Sequence, residues 1–157
     1  MTRTFLKTML AAALIALAFT PSAPLAAATW QGAKGDQPAV GGNDPVAYFT
    51  KSAPTPGNPA FTHVHEGATY RFATPANRDA FIANPARYAP QFGGHCAWAA
   101  SQSRLAGPDP TIWRIVDGRL YLNCSKDAEA KWLADIPGNI AKANGYWALQ
   151  DDLAGEP

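Results

Sequence analysis

The sequence predicts an α+β fold, with a small antiparallel sheet built from two β-hairpins and packed with short helices. Two observations predict it. Two pairs of aromatic and β-branched segments are each joined by a short turn that contains glycine. Residues that favour helix starts follow each pair. Local pairing of this kind is typical of α+β proteins and not of a parallel doubly wound sheet.

The first hairpin follows a proline-rich segment. Residues 52–59 hold three prolines and one glycine, which predicts an irregular loop. Residues 61–65 and 69–73 then flank Glu66-Gly67-Ala68, and both flanks are rich in residues that favour strands. The sequence therefore predicts a hairpin directly after a loop.

The second hairpin has a clearer turn. Residues 112–116 and 119–123 are separated by Asp117-Gly118. This dipeptide is favoured where a two-residue turn needs positive φ at both positions.

A helix is predicted after the first hairpin. Thr74 can accept a hydrogen bond from a first-turn amide, and Pro75 suits the first helical position. The helix is expected to bury Phe81 and Ile82 and to end before Pro85.

Two further helices are predicted towards the carboxyl end. Ser125 is the expected cap of a helix over residues 126–134, with three inward residues: Ala128, Trp132 and Leu133. Pro137 is expected to begin the last helix, in which three apolar residues recur at helical spacing: Ile140, Ala143 and Trp147. We find no internal repeat in the sequence.

The first 28 residues have the pattern of a secretory signal peptide. Arg3 and Lys7 precede an apolar run over residues 9–19, and a small-residue tail ends at Ala28. The apolar run is shorter than the ~20 residues that span a bilayer, and no later segment approaches that length. The sequence predicts a periplasmic or secreted protein, with no membrane insertion after cleavage.

The remaining chain is expected to form one domain. Residues 29–40 and 151–157 are predicted to be loose tails, with Trp30 exposed, and residues 41–150 the folded domain with its carboxyl-terminal helical extension. The leader carries two of the 13 basic residues and none of the 12 acidic ones, so the mature chain has a formal charge near −1. This balance gives no electrostatic case for a nucleic-acid partner.

Several motifs, in order, resemble the YHS domain family. They are Asp44-Pro45-Val46-Ala47-Tyr48-Phe49, Tyr70-Arg71-Phe72, Asn77-Arg78-Asp79-Ala80-Phe81 and Asn84-Pro85-Ala86-Arg87-Tyr88. Three later segments, residues 93–99, 117–123 and 135–141, are similar to the exported, single-domain branch of that family.

The resemblance implies heavy-metal binding only for members that carry cysteines in the short domain. In this chain the corresponding positions are Ala47 and, approximately, Ala73 and Asn77, none of which can hold a metal ion. A metal role would need a separate site.

After the predicted signal peptide, five residues offer thiol or imidazole chemistry: His63, His65, His95, Cys96 and Cys124. One interpretation is a Cys/His site that handles copper or zinc, since thiolate and imidazole suit both metals. His63 and His65 lie two apart on a predicted strand and so share one face. That face also carries Phe61, Tyr70 and Phe72, so each histidine taken alone is better interpreted as occupying an aromatic core or edge position.

The alternative is a disulfide between Cys96 and Cys124. An even pair of cysteines in an oxidising compartment is typically bonded, and closing a loop of this span stabilises a fold by roughly 3–4 kcal/mol. The bond requires the start of the Cys96 helix to pack on the end of the second hairpin. Such a stapled domain would bind a small ligand or a protein without metal.

Catalysis is the third interpretation. A Cys96 thiolate at a helix start would be stabilised by unpaired amides, but the chain has no Cys-x-x-Cys pair and no Ser/His/Asp signature. Gly93-Gly94 is interpreted as a tight turn that permits close packing, or as a backbone cradle for an anion. We therefore expect a binding module and not an enzyme.

Overall fold

The computed structural model describes residues 30–32 and 37–154. The predicted signal peptide lies outside these residues, as do residues 155–157. Two short 3₁₀ turns, Ala39–Gly42 and Phe92–Gly94, accompany ten helices and strands. In chain order these are α1 Ala47–Thr50, β1 Asn58–His65, β2 Ala68–Phe72, α2 Pro75–Ala83, α3 Pro85–Tyr88, α4 Ala97–Ser101, β3 Asp109–Val116, β4 Arg119–Asn123, α5 Lys126–Leu133 and α6 Ile136–Ala154.

The α+β class is confirmed, because both predicted hairpins form and pack against short helices. They make two separate two-stranded antiparallel sheets, β1-β2 and β3-β4. Each turn has two residues with positive φ, Glu66-Gly67 in the first and Asp117-Gly118 in the second. Positive φ at both central positions is the geometry that matches the twist of the flanking strands.

The predicted caps are also confirmed. The Thr74 hydroxyl accepts a hydrogen bond from the Asn77 amide at 3.1 Å, and the Ser125 hydroxyl accepts one from the Ala128 amide at 3.1 Å. Each cap satisfies one of the amides that a helix start leaves without an intrahelical partner.

Four expectations need correction. Ile82 and Leu133 were expected inside but are 48% and 40% exposed, because the neighbouring Phe81 and Trp132 take the inward positions. Pro59 lies within β1 and not in a loop; it falls where the register shifts between Asn58 and Thr62, so the ladder does not need its missing N–H. The predicted tail after residue 150 is helical through Ala154.

The structure contains an internal repeat that the sequence patterns do not predict. Residues 38–83 and 90–133 pass through the same elements: a Gly-Gly turn, a short helix, a hairpin and a capped helix. Gly41 corresponds to Gly93, 52 positions later, and Gly67 corresponds to Gly118, 51 positions later.

Backbone details support the repeat. Both hairpins shift register at the same place, between Asn58 and Thr62 in one and between Asp109 and Trp113 in the other. The non-glycine residues with positive φ also form three equivalent pairs: Val40 and Phe92, Ser52 and Ser103, Glu66 and Asp117.

The two repeats share a core and cannot be separated. Leu120 and Leu122 of the second repeat are buried in the same cluster as Tyr48, Phe72 and Phe81 of the first. The Tyr48 hydroxyl also donates a hydrogen bond to the Pro110 carbonyl at 2.8 Å, across the boundary between the repeats.

Asp44 and Cys96 occupy equivalent, fully buried positions. Each links the start of the short helix of its repeat to the end of the hairpin, but by different chemistry. One oxygen of Asp44 accepts hydrogen bonds from the Ala73 amide at 2.8 Å and the Asn77 side chain at 2.6 Å, and the other accepts one from the Val46 amide. Cys96 instead forms a disulfide to Cys124, the equivalent of Ala73. A carboxylate joins strand end to first helix in one repeat, and a disulfide does so in the other.

Among the described helices, none combines the length and the apolar character needed to cross a bilayer.

Candidate functional site

Both sulfurs of the chain are bonded to each other. The α-carbons of Cys96 and Cys124 are 5.2 Å apart, which is within the range that a disulfide allows. Cys96 is fully buried at the start of α4, and the Cys124 amide donates a hydrogen bond to its sulfur at 3.1 Å. The disulfide interpretation is confirmed. In this oxidised form neither sulfur is a thiolate, so neither can act as a nucleophile or hold a metal ion.

The histidines on β1 pack among aromatic rings, as expected for members of an aromatic core. The His63 and His65 ring centroids lie 6.1 Å and 5.7 Å from that of Phe81, and His63 is paired with Tyr70 across the hairpin. The disulfide lies in a different cluster, with Ala99 and Ala128.

His95 is 6% exposed and contacts the amino-terminal segment. The Gln31 side-chain amide donates a hydrogen bond to its Nδ1 at 2.9 Å, and its ring lies 6.0 Å from that of Trp147. Within residues 30–32 and 37–154, no three His, Cys, Asp or Glu side chains are grouped as metal ligands would be. The Cys/His metal site therefore stays a prediction that first requires reduction of the disulfide.

A cleft of about 400 Å³ lies on one side of the molecule, between the two hairpin turns and α6. This volume falls in the range of small-molecule sites. Its walls come from the amino-terminal segment, the first hairpin turn, α3, the turn before α4, β4 and α6. Its lining is Trp30, His65, Glu66, Pro85, Ala86, Ala89, Pro90, Gln91, Phe92, Gly93, Arg119, Asn144 and Trp147.

Two tryptophans form an aromatic corner in this cleft. The rings of Trp30 and Trp147 meet edge to face with centroids 6.4 Å apart, and Trp30 meets His65 in the same way at 5.4 Å. The sequence predicts that Trp30 is exposed in a loose tail. It is instead half-buried, because the Gln31 amide next to it donates a hydrogen bond to the Gly93 carbonyl at 2.8 Å.

Gly93 permits this corner. Its φ is +57°, and a β-carbon placed on it would lie 2.6 Å from the Trp147 ring and 3.2 Å from Cγ of Trp30. Only glycine allows both rings to approach the backbone this closely. The predicted tight turn at Gly93-Gly94 is confirmed, and it brings segments near both ends of the described chain together.

Arg119 supplies a positive charge at the edge of the cleft. It is exposed at the start of β4, and its guanidinium donates a hydrogen bond to the Gln91 side-chain oxygen at 3.2 Å. None of the ion pairs formed among the described residues includes it. Arg119 also borders two smaller depressions, of about 290 and 380 Å³, which adjoin the cleft at this residue.

Tyr121 lines the first of these depressions, and its pKa is raised above the usual value of a tyrosine. Burial raises this pKa, the positive charge of Arg119 lowers it, and the carboxylate of Asp117 raises it. The charges of Arg119 and Asp117 therefore have opposite electrostatic effects on the Tyr121 hydroxyl.

Comparison with family models, with curated proteins and with solved structures finds no match for this chain. Assignment to the YHS domain family stays a prediction, based on the motifs quoted above.

Few of the cleft residues could be predicted from the sequence. His65 and the Gly93-Gly94 pair stand out in it, whereas the spacing of Trp147 predicts a core residue and no pattern distinguishes Arg119. One signal was available: Pro38 and Pro90 each precede a Gly-Gly pair at the same spacing, and only the second pair is preceded by an aromatic residue, Phe92.

Proposed function

We propose that this protein is an exported, YHS-type binding module whose ligand site is the cleft at Gly93, and that its disulfide is structural. The predicted signal peptide and the disulfide support export, because disulfides persist in oxidising compartments. No covalent step is part of the proposed function.

The main support for the proposal is a difference between the two repeats, in what packs above Gly41 and above the equivalent Gly93. In the first repeat, the space above Gly41 is filled by the side chain of Pro110 from the other repeat. Above the equivalent Gly93 lie Trp30 and Trp147, which belong to described segments that flank the two repeats, residues 30–32 and α6. Both additions to the repeated scaffold converge on one residue and line one cleft.

The chemistry of the cleft supports binding of a small, partly apolar molecule. Trp30, Phe92 and Trp147 give the cleft aromatic walls, proline and alanine side chains add further apolar surface, and a few polar side chains lie among them. Concave sites with mostly apolar and aromatic walls and few polar groups are typical of small-ligand binding.

A blocking substitution tests the proposal. Ala86 is an exposed residue of α3 that lines the cleft, and Ala83 is an exposed residue of α2 that does not. With indole as a neutral aromatic probe in ligand-detected NMR, we expect saturable binding to the unmodified protein. We expect Ala86→Trp to abolish that binding and Ala83→Trp to leave it unchanged.

Two outcomes contradict the proposal: no saturable indole binding by the folded protein, or equal loss of binding in both variants. Far-ultraviolet circular dichroism of each variant verifies that the fold is intact.

A further inference from the structure

Building on the proposed function, we infer that the cleft selects aromatic carboxylates, with the ring held at the Trp30–Trp147 corner and the carboxylate held by Arg119.

The Trp30–Trp147 corner would bind the aromatic ring of the ligand. Trp30 and Trp147 meet at an interplanar angle of 81°, so they present a ring face and a ring edge to the same space. A planar aromatic group can pack offset or edge-on against such a pair, an arrangement that adds to the free energy gained from area burial alone. Phe92 supports Trp147 from within, with ring centroids 6.5 Å apart.

The guanidinium of Arg119 would bind the carboxylate of the ligand. Its one described side-chain partner is the neutral amide of Gln91, which positions the guanidinium without neutralising it. A guanidinium presents a planar fork of donors that matches the two oxygens of a carboxylate.

The charges around Arg119 favour an anion at this end of the cleft. Arg87 and Arg119 border the same depression beside Ala86, against one carboxylate, that of Asp117. Glu66 is the acidic residue of the cleft itself, and it lies on the first hairpin turn, a different element from the β4 start that carries Arg119. Substitution of Glu66 therefore serves as the matched control for substitution of Arg119.

The test compares three probes of similar shape: 3-(indol-3-yl)propionate, its neutral primary amide, and the cation tryptamine. We expect the carboxylate to bind about tenfold more tightly than the amide, since a hydrogen-bonded ion pair to an exposed guanidinium contributes modestly. Tryptamine should bind most weakly. The preference for the carboxylate should shrink as NaCl is raised from 20 to 500 mM, because exposed charges are screened.

Two variants locate the preference. Arg119→Gln should weaken binding of the carboxylate more than binding of the amide and so remove the tenfold difference between them. Glu66→Gln should keep the difference or enlarge it. A carboxylate preference that survives Arg119→Gln, or a tryptamine preference that disappears in Glu66→Gln, would overturn the inference.

The result also separates this inference from the proposed function. If indole and all three probes fail to bind, the proposed ligand site is wrong. If they bind at the cleft with equal affinity, the site stands and the selection of carboxylates by Arg119 is refuted.

Discussion

Replacing Gly93 with alanine should be far more damaging than replacing a glycine with the same backbone conformation elsewhere. Gly93 has φ +57° and Gly118 has φ +72°, so alanine at either position suffers the left-handed penalty of about 1 kcal/mol. At Gly118 nothing lies within 4 Å of an added β-carbon. At Gly93 that carbon would meet the Trp147 ring at 2.6 Å, so the ring must move.

The expected difference follows from these contacts. Displacing a packed ring to admit an extra methyl group typically costs about 1–3 kcal/mol. We therefore expect Gly93→Ala to lower the free energy of unfolding by about 2–4 kcal/mol and Gly118→Ala by about 1 kcal/mol. Because the displaced ring lines the cleft, Gly93→Ala should also weaken indole binding, and Gly118→Ala should not.

Urea unfolding at pH 7, followed by circular dichroism, measures both variants against the unmodified protein. Equal midpoints for the two variants, with indole binding retained in Gly93→Ala, would refute the account of the aromatic corner.

Three other perturbations have defined outcomes. Cys96→Ala with Cys124→Ala opens a loop of sequence separation 28, so chain entropy predicts a loss of about 3.5 kcal/mol in urea unfolding; no loss, or two reactive thiols in the denatured, unreduced parent, would contradict the disulfide. Asp44→Ala removes the acceptor for the Val46 and Ala73 amides and the Asn77 side chain, and should lower the free energy of unfolding by about 3 kcal/mol. A loss below about 1 kcal/mol would show that the carboxylate does not stabilise the first repeat. Burial raises the pKa of Tyr48, as does Asp109, and burial with Glu66 raises the pKa of Tyr70, so both stay neutral in the fold. The stability that the two neutral tyrosines contribute is complete below pH 10. Above pH 10 the free energy of unfolding should fall by about 1.4 kcal/mol per pH unit for each tyrosine, because the tyrosines ionise in the unfolded chain first. A Tyr70→Phe variant whose free energy of unfolding falls with the same slope above pH 10 would contradict this.

Local chemistry explains what could be predicted from the sequence. The Asp117-Gly118 turn and the Thr74 and Ser125 caps depend on residues within a few positions of one another, and all three formed as expected. The inward face of a short helix is less local. Ile82 and Leu133 were misplaced because each lies beside a larger aromatic residue that fills the core.

The repeat and the cleft depend on relationships that single-sequence patterns express weakly. The repeats keep backbone conformations and register while exchanging most side chains, as the replacement of Asp44 by Cys96 illustrates. The cleft joins Trp30 to Trp147 through a glycine that lies between them in the chain, and no spacing rule relates three such positions. The disulfide was one of three open interpretations of the cysteines, because α-carbon separation is a tertiary property that the sequence does not show.

The ligand site itself is tested most directly by the side-chain indole N–H signals of the five tryptophans in a ¹⁵N-edited NMR titration. Addition of 3-(indol-3-yl)propionate should shift the signals of Trp30 and Trp147 in a saturable way and leave that of the fully buried Trp132 in place. Saturable shifts confined to Trp98 or Trp113, or no shift at any tryptophan, would contradict the placement of the site.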